Sequence, residues 1–249
     1  MSLYSFGPGV VIVTRTDTAT PFPVNIGYAN EFQLSYKGST KKLYGQSQFP
    51  LIATRGTIAA SGKIKAAALS GLAWNAAFFG NSFTAGKDNY YLNEPHTPGT
   101  TTQAVTNATG GIVDLGVTYA ASGLPLQRVA AGSEAAGKYS VVQSTGTYTF
   151  NVADEVALNF NYSNFSSASG QQLNVTNQLL GVNPTFQLDY WTQLNQPAAK
   201  PFAVRAFACV ASDLSLAAKL EDFIMPELSF DLFANASGQV VNMNFPEIS

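Results

Sequence analysis

The chain has 249 residues, with 13 Lys+Arg against 15 Asp+Glu and a pI near 5.3, a balance that argues against a protein living by affinity for nucleic acid. Only 11% of residues are charged, against roughly 25% in average soluble domains, and no apolar run approaches the roughly 18 residues of a membrane span. The polarity comes from Ser, Thr, Asn, Gln and Gly, so the surface is weakly defended against association and suits a subunit that is covered in an assembly.

The N-terminus shows no basic stretch leading into an apolar one, so no secretory leader is expected. Phe32–Tyr36 alternates apolar and polar residues and predicts a strand. The run from Gly56 to Lys63 superficially resembles a phosphate loop. Five residues rather than four separate Gly56 from Gly62, and Ile64 stands where Ser or Thr must reach magnesium. It reads instead as strand–turn–strand, with Lys63 and Lys65 on one face. One helix is predicted: Ser70 caps it, Gly71–Phe79 form about two turns with Leu72, Ala76 and Phe79 on one face, and Gly80 ends it.

Residues 93–111 break the composition, and Ser163–Gln172 break it again. Between the breaks lie short predicted strands at Ile112–Tyr119, Lys138–Val142, Thr147–Val152 and Val156–Tyr162. Two arrangements are compatible with this: an inserted β subdomain at 93–165 within a core of 1–92 and 166–249, or a long excursion of one domain. Leu228–Leu232 and Val241–Phe245 close the series of alternating strands. The expected fold class is therefore mainly β with one short helix.

The residues carry little chemistry. The one histidine, His96, lies between prolines in a predicted loop, where a solvated role outweighs a catalytic one. The adjacent pairs Asp154–Glu155 and Glu221–Asp222 read as turn and surface carboxylates, because strand neighbours face opposite ways. Cys209, the single cysteine, sits in Phe-Ala-Cys-Val-Ala and reads as a small core residue. No cofactor or metal set is expected, and no enzyme.

The charge layout says more. Residues 1–65 hold seven basic residues against two acidic, a local +5, and residues 210–249 hold one basic against six acidic, a local −5. Solvated ends of a dipolar monomer are one explanation. The other is complementary surfaces meeting between copies, with opposite charges setting register and direction. The candidate stacking residues are Lys37, Lys41 and Lys42 against an acidic surface containing Glu221 and Asp222.

The segments Gly27-Tyr-Ala-Asn-Glu-Phe-Gln-Leu-Ser-Tyr36, Lys42-Leu-Tyr-Gly-Gln-Ser-Gln-Phe-Pro50, Thr54-Arg-Gly-Thr-Ile and the helix ending Phe78-Phe-Gly80 resemble tail tube (major tail) proteins of tailed bacteriophages. Gly181-Val-Asn-Pro-Thr-Phe-Gln-Leu188, Ala208–Phe223 and Pro226-Glu-Leu-Ser-Phe230 extend the likeness. It lies in pattern and word order over about three quarters of the chain. The resemblance implies two packed antiparallel sheets, sandwich- or barrel-like, with a flanking helix. It also implies copies joined into rings, usually hexameric, that stack into the tail of the virion after synthesis in the host cytoplasm. Other tail proteins would be partners, DNA would pass through the lumen without specific binding, and no membrane insertion is implied. By position, residues 1–24 would be the stacking arm and Lys37–Gln48 the stacking loop. The competing reading is a virion-surface β protein that binds a carbohydrate or host receptor, with Tyr90, Tyr91, Tyr190 and Trp191 as sugar-stacking candidates.

Overall fold

Alternating side chains drive most of this chain into strands. The computed structural model describes residues 9–68, 70–181, 183–192, 202–217 and 223–245. In chain order the strands are β1 (Gly9–Arg15), β2 (Pro23–Tyr44), β3 (Pro50–Ala66), β4 (Phe83–His96), β5 (Thr102–Ala104), β6 (Ile112–Tyr119) and β7 (Gln127–Arg128). They continue as β8 (Lys138–Val142), β9 (Thr147–Phe150), β10 (Leu158–Leu173), β11 (Thr185–Thr192), β12 (Ala203–Ser215), β13 (Glu227–Leu232) and β14 (Val241–Asn244). The protein is mainly β, with antiparallel sheets and one short helix. The chain divides into a first unit, Met1–Ser82 with Val175–Ser249, and a second, Phe83–Asn174.

In the first unit the antiparallel pairing runs β11–β1–β2–β3–β13–β12, and β12 pairs back onto β11, so the sheet closes on itself; β14 adds beside β12. Period two explains the closure. In β11, Phe186, Leu188 and Tyr190 turn inward while Gln187, Asp189 and Trp191 turn outward. Val11, Val13, Ile26, Ile64, Leu228 and Phe230 complete an interior in which each is at most 1% exposed. A buried side chain of that size contributes about 1.5–3 kcal/mol. Opposite walls face one another across this core, as in a sandwich, and the closed ring leaves few strand edges to pair elsewhere.

The helix begins as α1 (Gly71–Trp74), where the Ser70 hydroxyl accepts from the Ala73 N–H at 3.4 Å. It then widens into a π turn, Asn75–Phe79, closed by the Gly80 N–H on the Asn75 carbonyl at 2.7 Å. Gly80 stops it at φ 66, a left-handed conformation that glycine adopts without penalty. The wider turn alters the expected face: Ala73–Ala77 are buried as a run and Leu72 is 47% exposed. The Asn75 carboxamide bonds the backbone of Asn81 at both ends, 2.6 Å as donor and 3.0 Å as acceptor, which sets the chain's exit.

The second unit packs a three-stranded sheet, β4–β10–β6, on a four-stranded one, β5–β9–β8–β7, in which only β7–β8 is parallel. Aromatic rings fill the gap: Tyr148 meets Phe160 edge to face at 4.8 Å and Tyr91 stacks on Tyr162 at 4.9 Å. β6 and β8 span the short strands predicted at Ile112–Tyr119 and Lys138–Val142. Ser163–Gln172, in contrast, does not interrupt the fold, because β10 continues to Leu173 against β4, crossing an irregularity between Ser166 and Gln171. Backbone ladder bonds do not depend on side-chain polarity, so Ser and Gln at exposed strand positions are no barrier. The sequence boundaries at 93 and 165 accordingly fall inside β4 and β10. Residues 56–63 also differ from expectation: Gly56 and Gly62 lie within the single strand β3, with no turn between them. Lys63 and Lys65 do share a face, and both meet Glu227, at 2.5 and 3.7 Å.

Candidate assembly surface

β2 and β3 are far longer than the sheet they belong to. β1 covers β2 only through Ala29, and β13 covers β3 only from Ala60 to Lys65. Beyond Tyr36↔Ala60 the two strands pair with each other alone, through Lys41↔Thr54 and Leu43↔Ile52 to the turn at 45–49. Eight residue steps carry this arm about 27 Å. Neither of its edges pairs with any other strand among the described residues.

The arm is also bare on both faces. Phe49 is 81% exposed, Leu51 66% and Ile52 63%, with Tyr36, Leu43, Tyr44 and Ile58 similarly open. Alternation puts Leu43 and Ile52 on one face and Tyr44 on the other. A two-stranded hairpin with no covered face is marginal in water by itself, and apolar side chains gather at the end of this one.

Its charge is one-sided. Between Tyr36 and Ala59 stand Lys37, Lys41, Lys42 and Arg55 with no acidic residue. Elsewhere in the basic N-terminal quarter the cations are engaged: Arg15 with Asp17 at 2.5 Å, Lys65 with Glu31 at 3.0 Å, and Lys63 with Glu227. Lys37, Lys41, Lys42 and Arg55 form no ion pair among the described residues, so the uncompensated positive charge collects on the arm. Lys37 and Lys41 share one face and Lys42 takes the other. The Lys37–Gln48 region is thus strand as far as Tyr44 rather than a loop. Glu221 and Asp222, the acidic candidates, lie outside the described residues, as do the first eight residues of the expected N-terminal arm.

The other candidates are placed by packing. His96 ends β4 instead of lying in a loop, its Nε2 2.5 Å from Glu94 Oε1 and its ring edge-on to Phe160. Cys209 is fully buried, and that burial raises its thiol pKa to about 12. Of the aromatic candidates, Tyr91 stacks on Tyr162 and Tyr190 stacks on Phe32 at 4.2 Å, whereas Tyr90 is 67% exposed.

Three carboxylates in the second unit do work that sequence reading missed. Asp114, its side chain 3% exposed, accepts from the Tyr139 and Tyr148 hydroxyls at 2.8 and 2.9 Å and from the Gly116 N–H at 3.0 Å. Burial, reinforced by Asp114, raises both phenol pKa values far above the ordinary range, which keeps them as donors. Asp154 is 2% exposed rather than a surface residue, and accepts from Tyr119 at 2.5 Å and the Gly137 N–H at 2.9 Å. Glu94 is pulled upward by burial, but hydrogen bonds from Tyr162, His96 and Thr106 outweigh that and hold its pKa at about 2. A signal for Asp114 was present: it stands in phase with the inward Ile112 of an alternating strand, where a charge requires partners.

No helix among the described residues is long and apolar enough to cross a membrane. No protein-family model and no curated protein matches the sequence.

Proposed function

We propose that the protein is a structural tail tube subunit of a tailed bacteriophage virion, whose copies join into rings, six in the usual case, that stack around a channel for genome delivery. The observation that carries this reading is the β2–β3 arm, which among the described residues leaves two edges and two faces open, carries exposed Phe49, Leu51 and Ile52, and holds lysines that form no ion pair. Such an arm gains stability only when another molecule covers it, and a second copy supplies the same cover in every repeat of a ring or stack. The resemblance in word order points to the same class, and the sparse charge of the whole chain suits a surface meant to be shared. Mild net acidity suits a conduit that DNA must traverse without being held.

Negative-stain microscopy of the purified protein, before and after concentration, tests the proposal. Stacked rings with a central hole are the expected result. A monomer that stays dispersed over the whole concentration range would overturn it.

A further inference from the structure

A second surface of the first unit is built differently from the arm. On the outer face of β1, β11, β12 and β14 lies a groove of about 620 Å³, within the range of ligand sites. Two straight cross-strand rows form its floor. Ile12 pairs with Asp189, Asp189 with Arg205, and Arg205 with Asn242. In the neighbouring row Trp191 pairs with Ala203 and Ala203 with Asn244. Because Ala203 offers only a methyl group, a slot remains between the indole and the Asn244 carboxamide.

The polar groups of the floor are held ready. Asp189 accepts from Arg205 Nε at 2.5 Å through one oxygen and from Gln187 Nε2 at 2.7 Å through the other. The carboxylate therefore fixes the guanidinium by its Nε and leaves both terminal nitrogens without a hydrogen bond among the described residues. The carboxamides of Asn242 and Asn244 are likewise without partners there, and both residues are exposed on β14.

We infer that this groove binds a neutral carbohydrate chain. The chemistry selects that class. An indole face stacks on the C–H face of a sugar ring. A hydroxyl both donates and accepts, and a carboxamide is the side chain that answers both roles. Asp189 and Arg205 cancel in charge, so a phosphorylated or carboxylated ligand would meet Arg205 only beside a fixed anion. Among the described residues the groove runs across four strands, which suits an internal stretch of a polymer. This inference stands independently of the assembly reading, which uses the arm and not this face.

The test is a screen of the full chain against an array of neutral glucose-, galactose- and N-acetylhexosamine-containing oligosaccharides, with uronic-acid oligosaccharides alongside, followed by calorimetric titration of any hit. The expected result is binding of a neutral oligosaccharide together with a change in Trp191 fluorescence; Trp74, the other tryptophan, is buried. Trp191→Ala and Asn242→Ala should each weaken binding by about tenfold or more, and Trp191→Phe, which keeps a flat ring, should restore most of it. If Trp191→Ala fails to fold, Asn242→Ala on exposed β14 carries the test. Binding of no neutral oligosaccharide, binding of acidic ones alone, or affinity unchanged in Asn242→Ala would each overturn the inference.

Discussion

Replacing Asp114 with Ala removes the acceptor shared by two phenols that have nowhere else to turn. Tyr139 and Tyr148 are 2% and 0% exposed, so water cannot take over the bonds of 2.8 and 2.9 Å that they give up. Hydrogen bonds to a charged group contribute about 1.5–3 kcal/mol each, so the two together predict a loss of about 3–6 kcal/mol. Arg128, 3.6 Å from the carboxylate and 47% exposed, adds little, since screening weakens such pairs. For a unit of about 90 residues, 1 kcal/mol moves the melting temperature by about 4–8 °C, so the unit should melt at least about 12 °C lower. Asp114→Asn keeps one carbonyl acceptor and should lose about half as much. Calorimetry of the full chain measures the shift. Hydrogen exchange locates it: amides of β6, β8 and β9 should lose protection while those of β1 and β11 keep theirs. A shift below about 4 °C in Asp114→Ala, or equal loss of protection in both units, would refute the claim that this carboxylate organises the second core.

Glu94 makes stability depend on acid. Its folded pKa of about 2 lies below the ordinary 4.5, so its contribution, about 3 kcal/mol, is present above pH 4.5 and is lost as pH falls toward 2; urea unfolding from pH 2 to 6 should show that slope in wild type and a flatter one in Glu94→Gln. Cys209 should react with a thiol reagent slowly in the folded protein and rapidly in denaturant, because burial disfavours the thiolate and blocks access; equal rates would remove it from the core. Lys41→Glu with Lys42→Glu should leave the circular dichroism spectrum unchanged and hinder assembly in sedimentation, with added salt weakening the wild-type contacts over a screening length of about 10 Å at 0.1 M. Assembly like wild type at low salt would assign the contact to apolar and strand pairing alone.

What could be read from the sequence follows the range of the interactions. β6 and β8 match short segments set off by turn-like spacing, and β13 and β14 match alternating segments; in β13 the alternation is also the burial pattern, with Leu228 and Phe230 inward, because both signals are local to a short strand. The Ser70 cap and Gly80 stop are local chemistry and were legible for the same reason, whereas the π turn between them, which moves Leu72 outward, has no local signature. The arm was legible as a region but not as a shape: Gly45 and Pro50 bound a turn, yet nothing local says that β2 and β3 run on past the strands beside them and pair with each other alone. Asp114 finds Tyr139 and Tyr148 across 25 and 34 positions, a meeting that only the folded sheets create. Ser163–Gln172 misled because polar composition signals a loop only when the backbone lacks a ladder to join, and β4 provides one.

The second unit begins at Phe83 and ends in β10, and these two ends pair directly, Phe83 with Leu173 and Thr84 with Gln172. Paired antiparallel residues stand about 4.5–5.5 Å apart, the span that an ordinary hairpin turn bridges. The connection between Ser82 and Val175 therefore has the reach of a few residues although about ninety lie along it. Loop entropy grows only with the logarithm of length, and here even that cost is met inside the unit by its own sheets. The position is consequently a natural graft point. A different folded module whose ends meet in an antiparallel pair could stand there, and so could a plain turn.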